Sequence, residues 1–308
     1  MKRLLTSILT IGVIASVAVG ATRAFFSDRE TSTGNVLSAG SIDLKVDSTA
    51  HYAGLVCSLG GLWVEDTIGV SNNTRPELLN TVCTGTWESK DLTNEKFFNL
   101  TDIKPGDMGE NTLSLTVQDN DAWACIQINN LQNNENTLVD PEAEAGDVTN
   151  DPNGGELAQN LYFTAWLDQG TTPGWQNSDN DPNTPIDPTE GDNIWQGNTA
   201  EPLLFTNQQG PASDVLGGQT YKLADSTTGF GPLVGLQTNY IGLAWCGGQF
   251  DAVAMGLGNL VCNGSFMGNN TQTDSITADL SIYVEQARNN PNFTCASLAS
   301  PIPVPTGI

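Results

Sequence analysis

Apolar and polar residues alternate with a period of two along three short stretches of the chain. These stretches are IDLKVD (42–47), TLSLTVQ (112–118) and LSIYVE (280–285). An apolar face opposite a polar face is typical of a half-buried antiparallel strand, so each stretch is predicted to be a strand. Two denser runs, CIQI (125–128) and NYIGLAW (239–245), are also predicted strands.

Turn clusters separate these strands over most of the chain, which predicts an all-β protein. The tetrapeptide KPGD (104–107) is one such turn, because proline presets φ and glycine supplies a positive φ. We expect a jelly-roll-like antiparallel β-sandwich over residues 38–299. Residues 140–201 are rich in Asp, Asn, Pro and Gly, and we interpret them as a long acidic insertion with a more ordered piece at 155–168. The Pro-rich tail, 300–308, is expected to be extended.

The N-terminus has the parts of a secretory signal over residues 1–24. Lys2 and Arg3 precede an apolar run, and small residues lead to Ala24, which predicts cleavage between Ala24 and Phe25. A retained membrane anchor is the alternative, since residues 4–24 are long enough to span a bilayer. Gly, Ser and Thr interrupt the run and no basic stop-transfer cluster follows, which favours cleavage. We therefore expect a secreted protein, extracellular or on the cell surface, with no stable membrane insertion afterwards.

The chain is strongly acidic. It carries 11 Lys and Arg residues against 35 Asp and Glu residues, a formal net charge of −24 at pH 7. Such a surface repels nucleic acid and anionic lipid, so neither is an expected partner. It is compatible with a hard cation such as calcium.

The six cysteines are scattered, and none forms the C-x-x-C pair of zinc ribbons or thioredoxin-type motifs. In an exported chain an even, scattered set indicates disulfides. Spacing leaves many connectivities open. The pairing that we expect joins Cys57 to Cys83, Cys246 to Cys262 and Cys125 to Cys295.

The sequence contains no recognisable catalytic motif. His51 is the one histidine, so a zinc protease motif with two imidazoles is excluded, and no G-x-S-x-G elbow or glycine-rich phosphate loop is present. We interpret His51 as a partly exposed loop residue near a strand. The prediction is a non-enzymatic protein that requires no cofactor.

The stretch DNDPNTPIDPTE (179–190) has the spacing of a calcium loop. Oxygen-bearing side chains recur at the spacing that allows successive residues of the loop to coordinate one ion. The candidate ligands are Asp179, Asp181, Asn183, Asp187 and Glu190. Thr184 stands where the sharp turn of such a loop normally requires glycine, and a solvated acidic loop is the alternative interpretation.

The segment that follows the predicted cleavage site has apolar ends and a polar middle. Phe25 and Phe26 lie at one end, Val36 and Leu37 at the other, and a predicted strand follows directly. A sandwich with a vacant strand position could accept such a segment from a neighbouring subunit. The alternative is that the segment packs on its own domain as an ordinary first strand.

The stretch TRAFFSDRETSTGNVLSAGSIDL (22–44) resembles the N-terminal signature of the TasA, CalY and camelysin family of exported proteins. The stretch DIKPGDMGENTLSLTVQDND (102–121) is similar to the family's Pro-Gly-Asp turn and the strand after it. The resemblance implies a jelly-roll sandwich, cleavage by a dedicated signal peptidase, and extracellular fibres of a biofilm matrix. It also implies that residues 25–37 are donated to the neighbouring subunit.

The leading hypothesis is thus a secreted structural subunit whose partners are further copies of itself, joined head to tail, and a signal peptidase during export. A monomeric calcium-binding module of the cell surface is the alternative. The resemblance to camelysin adds a metallopeptidase as a remote alternative, which a chain with one histidine and no zinc motif does not support.

Overall fold

The computed structural model describes residues 27–31, 42–66, 74–148, 150–171, 187–197, 200–251 and 260–298. Its strands are β1 (Ser27–Thr31), β2 (Asp43–Tyr52), β3 (Leu55–Cys57), β4 (Trp63–Glu65), β5 (Trp87–Lys90), β6 (Met108–Gln118), β7 (Ala122–Asn134), β8 (Leu161–Leu167), β9 (Gly210–Pro211), β10 (Gln219–Ala224), β11 (Thr238–Gly247), β12 (Gln249–Phe250), β13 (Cys262–Asn263) and β14 (Ser275–Gln286). Its α-helices are α1 (Asp140–Ala145), α2 (Leu157–Asn160) and α3 (Ala212–Val215). Short 3-10 helices lie at Pro76–Leu78, Gly264–Phe266, Asn269–Thr271 and Cys295–Ser297.

Two antiparallel sheets pack in a sandwich-like arrangement, which confirms the predicted fold class. The small sheet has the strand order β1-β14-β7-β10. The large sheet has the order β4-β3-β2-β6-β11-β8-β9, and β5 also pairs with β2. A separate ribbon joins β12 to β13. None of the described helices is long and apolar enough to cross a membrane.

The core between the sheets is built by the alternating strands that the sequence predicts. In β2 every second residue is buried, including Leu44 and Val46. From the small sheet, Ile282 and Val284 of β14 enter the same core. The prediction that the polar face is exposed is wrong for the middle of β6, where Thr112 and Ser114 are buried as well.

Residues 161–167, inside the predicted insertion, form β8 of the large sheet. The far side of β8 carries a second, smaller core, in which Trp166 packs with Trp195 and Phe250. Gly242 of β11 lies opposite Trp166, and a Cβ there would stand 2.1 Å from the indole ring. The chain after β8 therefore covers the outer face of the large sheet, and the fit requires glycine at this position.

The KPGD turn is confirmed, and its aspartate organises a buried polar network. The Asp107 N–H donates to the Lys104 carbonyl over 2.9 Å, and Gly106 has a φ of +87°. Oδ2 of Asp107 accepts hydrogen bonds from the Tyr52 hydroxyl at 2.6 Å and from Arg75 Nη1 at 2.8 Å. The network is stable in the interior because the buried carboxylate has both a charged partner and hydrogen bonds.

The three expected disulfides are present: Cys57–Cys83, Cys125–Cys295 and Cys246–Cys262. No cysteine is free. The second bond joins residues 170 positions apart and ties β7 to the chain beyond β14. Three disulfides are compatible with an extracellular location.

We expect Gly242→Ala to lower the free energy of unfolding by about 1–3 kcal/mol, because the new methyl group overpacks the Trp166 contact. Gly60→Ala is the control, since its Cβ would meet the nearest atom at an ordinary 3.6 Å. Denaturant midpoints measure both changes. Equal midpoints for the two variants would contradict the tight contact.

Candidate functional site

The edge of the small sheet is formed by β1, which pairs antiparallel with β14. The register runs from Ser27 opposite Glu285 to Thr31 opposite Ser281. On its other side β14 pairs with β7. Removing β1 would therefore leave the backbone of residues 281–285 without strand partners along one edge, which is a template for another strand.

β14, the strand that pairs with β1, is held in place by contacts that do not involve β1. The side chains of Ile282 and Val284 are fully buried in the core between the sheets. Tyr283 stacks on Phe293, with 6.1 Å between the ring centroids, and donates a hydrogen bond of 2.7 Å to Glu285. The core packing and the Phe293 contact do not involve β1, so the position of β14 does not depend on which chain supplies the strand at its edge.

The predicted donor segment is described only in its middle. Residues 27–31 form β1, whereas Ala24, Phe25, Phe26, Val36 and Leu37 lie outside the described residues. Within one chain, β1 lies on its own sheet, as in the alternative of an ordinary first strand. A strand donated by a neighbouring copy is expected to pair with β14 in the same register. Strand donation and an ordinary first strand are therefore both compatible with this arrangement.

The candidate calcium loop is also described only in part. Asp179, Asp181 and Asn183 lie outside the described residues, while Asp187 and Glu190 are described. Oδ1 of Asp187 accepts from the hydroxyl of Thr189 at 2.6 Å, and Oδ2 accepts from that of Thr171 at 2.8 Å. Glu190 forms a backbone bridge with Gln169. At this end of the loop, Asp187 fastens the chain to the end of β8.

Two buried carboxyls, Asp168 and Glu201, hold the covering chain against β8. Both side chains are almost fully buried, at 1% and 0% exposure. Four backbone N–H groups donate to their oxygens, from Gly191 and Asn193 to Asp168 and from Gly170 and Gln196 to Glu201. Burial raises the pKa of both carboxyls, and the charge of Asp168 raises that of Glu201 further. A buried pair lies out of reach of a substrate, so its role is structural.

His51 lies within β2 and is half-buried, so its prediction as a loop residue is wrong. Its Nδ1 is 3.3 Å from the Asn193 side-chain nitrogen and its Nε2 is 3.8 Å from Asp66 Oδ2. Burial lowers the pKa of His51. Across the β2–β6 ladder, burial and the charges of neighbours including Asp66 raise the pKa of Glu110 to about 8.

Five carboxylates that the sequence reasoning missed meet at the far end of the small sheet. We call them the carboxylate cluster: Glu135, Glu142, Asp147, Glu156 and Asp274. One oxygen from each of Glu135, Asp147 and Glu156 lies within 4.8 Å of the other two, and the same holds for Glu135, Glu142 and Asp274. Burial, followed by the neighbouring Asp274, raises the pKa of Glu135 well above its ordinary value. These are the residues whose chemistry fits a metal ion.

No family model, curated protein or solved structure matches this chain. Its function is therefore inferred from its own residues and geometry.

The Asp168–Glu201 pair makes the protein less stable as pH rises. Both pKa values are higher in the folded chain than the ordinary values of 3.8 and 4.5, so the folded state binds more protons above about pH 4. The pair's contribution to the free energy of unfolding is therefore fully present below the ordinary pKa values. It is lost as pH rises through neutral and both carboxyls ionise in the folded chain. We expect Glu201→Gln to flatten this decline, measured as the melting temperature at pH 5 and at pH 8.

Glu88→Gln is the control, because Glu88 is an exposed residue on β5. This variant should keep the slope of the unmodified protein. A Glu201→Gln slope equal to that of the control would show that the buried pair does not contribute to the pH dependence.

Proposed function

We propose that this protein is a secreted structural subunit that assembles head to tail into extracellular fibres by exchanging β1 between neighbouring copies. The observation that carries the proposal is the position of β1. It is a five-residue edge strand of the small sheet, and a separate segment, residues 32–41, connects it to the first strand of the other sheet.

The connecting segment is long enough to deliver β1 to a neighbour. Ten residues span about 33–36 Å when fully extended, which exceeds the distance across a small sheet of strands about 4.8 Å apart. Exchange keeps the backbone hydrogen bonds of the β1–β14 ladder and changes only the chain that provides them. Such swapping has a low energetic cost.

The geometry of exchange decides between a closed dimer and a fibre. Two copies that exchange β1 reciprocally form a closed pair, whereas a donor that passes its strand to a third copy forms an open chain. The resemblance of residues 22–44 to the TasA, CalY and camelysin signature favours the open chain. In this proposal, cleavage after Ala24 frees the strand to insert.

The apolar ends of the donor segment supply the affinity. Phe25 and Phe26 are proposed to bind in the acceptor groove beside β14, which contributes on the order of 3–6 kcal/mol before the cost of ordering the segment. The acidity of the chain and its three disulfides support an extracellular setting. No enzymatic activity and no cofactor is part of this proposal.

Exchange is tested by mixing two single-cysteine variants, Thr31→Cys and Ser281→Cys. These positions face each other in the β1–β14 register, where directly opposed Cβ atoms lie about 4.5–5.5 Å apart. We expect a disulfide between the two different chains after mild oxidation, because each donor strand reaches the β14 of another copy. Non-reducing gel electrophoresis detects the mixed dimer.

Glu30→Cys mixed with Ser281→Cys is the matched control, since it is one residue out of register. The proposal is contradicted if the in-register mixture gives no more mixed dimer than the control while the double variant Thr31→Cys/Ser281→Cys closes within a single chain. In that case β1 is an ordinary first strand.

A second candidate function is a calcium-binding module of the cell surface. The carboxylate cluster favours it, because its oxygens suit a hard cation. The two functions are compatible, since β1 pairs with residues 281–285 while the cluster lies beyond Ser275 at the other end of β14.

A further inference from the structure

The β7–β14 ladder brings two distant acidic residues face to face. Asn134, the last residue of β7, pairs with Ser275, the first residue of β14. Glu135 and Asp274 are the next residues along the two strands, so the antiparallel register sets them opposite each other. Like charges in this position destabilise a ladder unless something compensates them.

The remaining members of the carboxylate cluster arrive on the chain between β7 and β8. Glu142 lies within α1, Asp147 follows the end of α1, and Glu156 immediately precedes α2. Glu142 is fully buried and Asp147 is 6% exposed. Three chain segments therefore bring acidic side chains to the end of the ladder, and the buried members, Glu135, Glu142 and Asp147, are poorly screened by water.

Glu135 is the centre of the cluster, and its close neighbour is another carboxyl, Asp274; burial and then this contact raise the pKa of Glu135. Glu135 is 4% exposed, and no N–H or O–H donor among the described residues reaches either of its carboxylate oxygens. A buried carboxylate without a donor or a counter-charge carries a large desolvation cost. Among the described residues no lysine or arginine forms a salt bridge with Glu135, Glu142, Glu156 or Asp274.

Backbone amides orient two other members and leave further oxygens unused. Oδ2 of Asp274 accepts the N–H groups of Glu156 at 2.6 Å and Leu157 at 3.0 Å, while its buried Oδ1 has no partner. Oε2 of Glu142 accepts the Val139 N–H at 2.7 Å, and its Oε1 accepts the Thr273 hydroxyl at the longer distance of 3.4 Å. The buried Oε2 of Glu156 has no partner among the described residues. Hydrogen bonds that hold one oxygen while the other stays available are typical of residues around a metal ion.

The distances between the carboxylate oxygens are compatible with a calcium ion. Oxygen ligands about 2.4 Å from a calcium ion lie at most about 4.8 Å from one another. The two triads that share Glu135 meet this limit. Calcium accepts six to eight oxygens in an irregular arrangement, whereas magnesium demands near-ideal octahedral geometry and retains several waters. A crowded set of carboxylates on separate segments suits calcium better.

We propose that the carboxylate cluster binds calcium, and that the ion fastens α1 and the start of α2 to the end of the β7–β14 ladder. The site differs from the candidate loop at residues 179–190. It also does not depend on strand exchange, because β1 pairs with β14 at the opposite end.

Calcium binding is measured on residues 25–308, which include every described element, after treatment with a chelator. We expect calcium chloride to raise the melting temperature and to give a saturable signal in titration calorimetry, with magnesium binding more weakly. Glu135→Gln should weaken calcium binding by more than the roughly tenfold loss that outer partners of metal ligands already cause. Glu156→Gln, at a half-exposed position, gives a second reading if the buried variant does not fold.

Two controls localise the ion. Glu144→Gln removes an exposed carboxylate from the same helix as Glu142 and should bind calcium normally. Asp187→Asn alters the other acidic loop and should also bind normally. The proposal is overturned if calcium has no effect on the unmodified protein, or if binding survives in both Glu135→Gln and Glu156→Gln. Loss in Asp187→Asn alone would assign the ion to residues 179–190 instead.

Discussion

The antiparallel pairing of β7 with β14 is the constraint on which the rest of the structure depends. Eleven residue pairs join the middle of the chain to its C-terminal part. The Cys125–Cys295 bond adds a covalent link to the same region across 170 residues. In the chain-entropy view, a bond that closes so long a loop restricts the unfolded chain strongly, which favours a fold dominated by such distant contacts.

Both features on which the proposals rest derive from this ladder. Because β7 occupies one side of β14, the other side is an edge that β1 fills in a single chain. Because the register is antiparallel, the end of β7 and the start of β14 bring Glu135 and Asp274 together. The large sheet differs, since its outer face is covered near β8 and β11 by Trp195 and its neighbours.

The strands and the presence of disulfides could be predicted from the sequence, because alternation is a local signal and six scattered cysteines leave little alternative in an exported chain. The spacing does not decide which cysteines pair. The alternation around Leu44 indicates one buried face, and the structure has that face. The alternation around Leu115 misleads, since Thr112 and Ser114 on the polar face of β6 are buried too. The acidic sequence around residues 155–168 places this run in an insertion, whereas in the structure it supplies β8.

The carboxylate cluster could not be predicted because its members are far apart in sequence. A calcium-loop spacing occurs within residues 179–190, whereas the carboxylates of the cluster come from positions between 135 and 274. Only the register of β7 and β14 makes Glu135 a neighbour of Asp274. The strands predicted at residues 125–128 and 280–285 stop several residues short of Glu135 and Asp274, so no local pattern in the sequence places these two carboxylates together.

The central claim is that the N-terminal segment joins one subunit to the next. Negative-stain electron microscopy of residues 25–308, beside a form that begins at Ser38, tests it most directly. The account predicts filaments from the longer form and single particles from the shorter one, because the shorter form lacks the strand to donate. Single particles from both forms, or filaments from the shorter form, would contradict it.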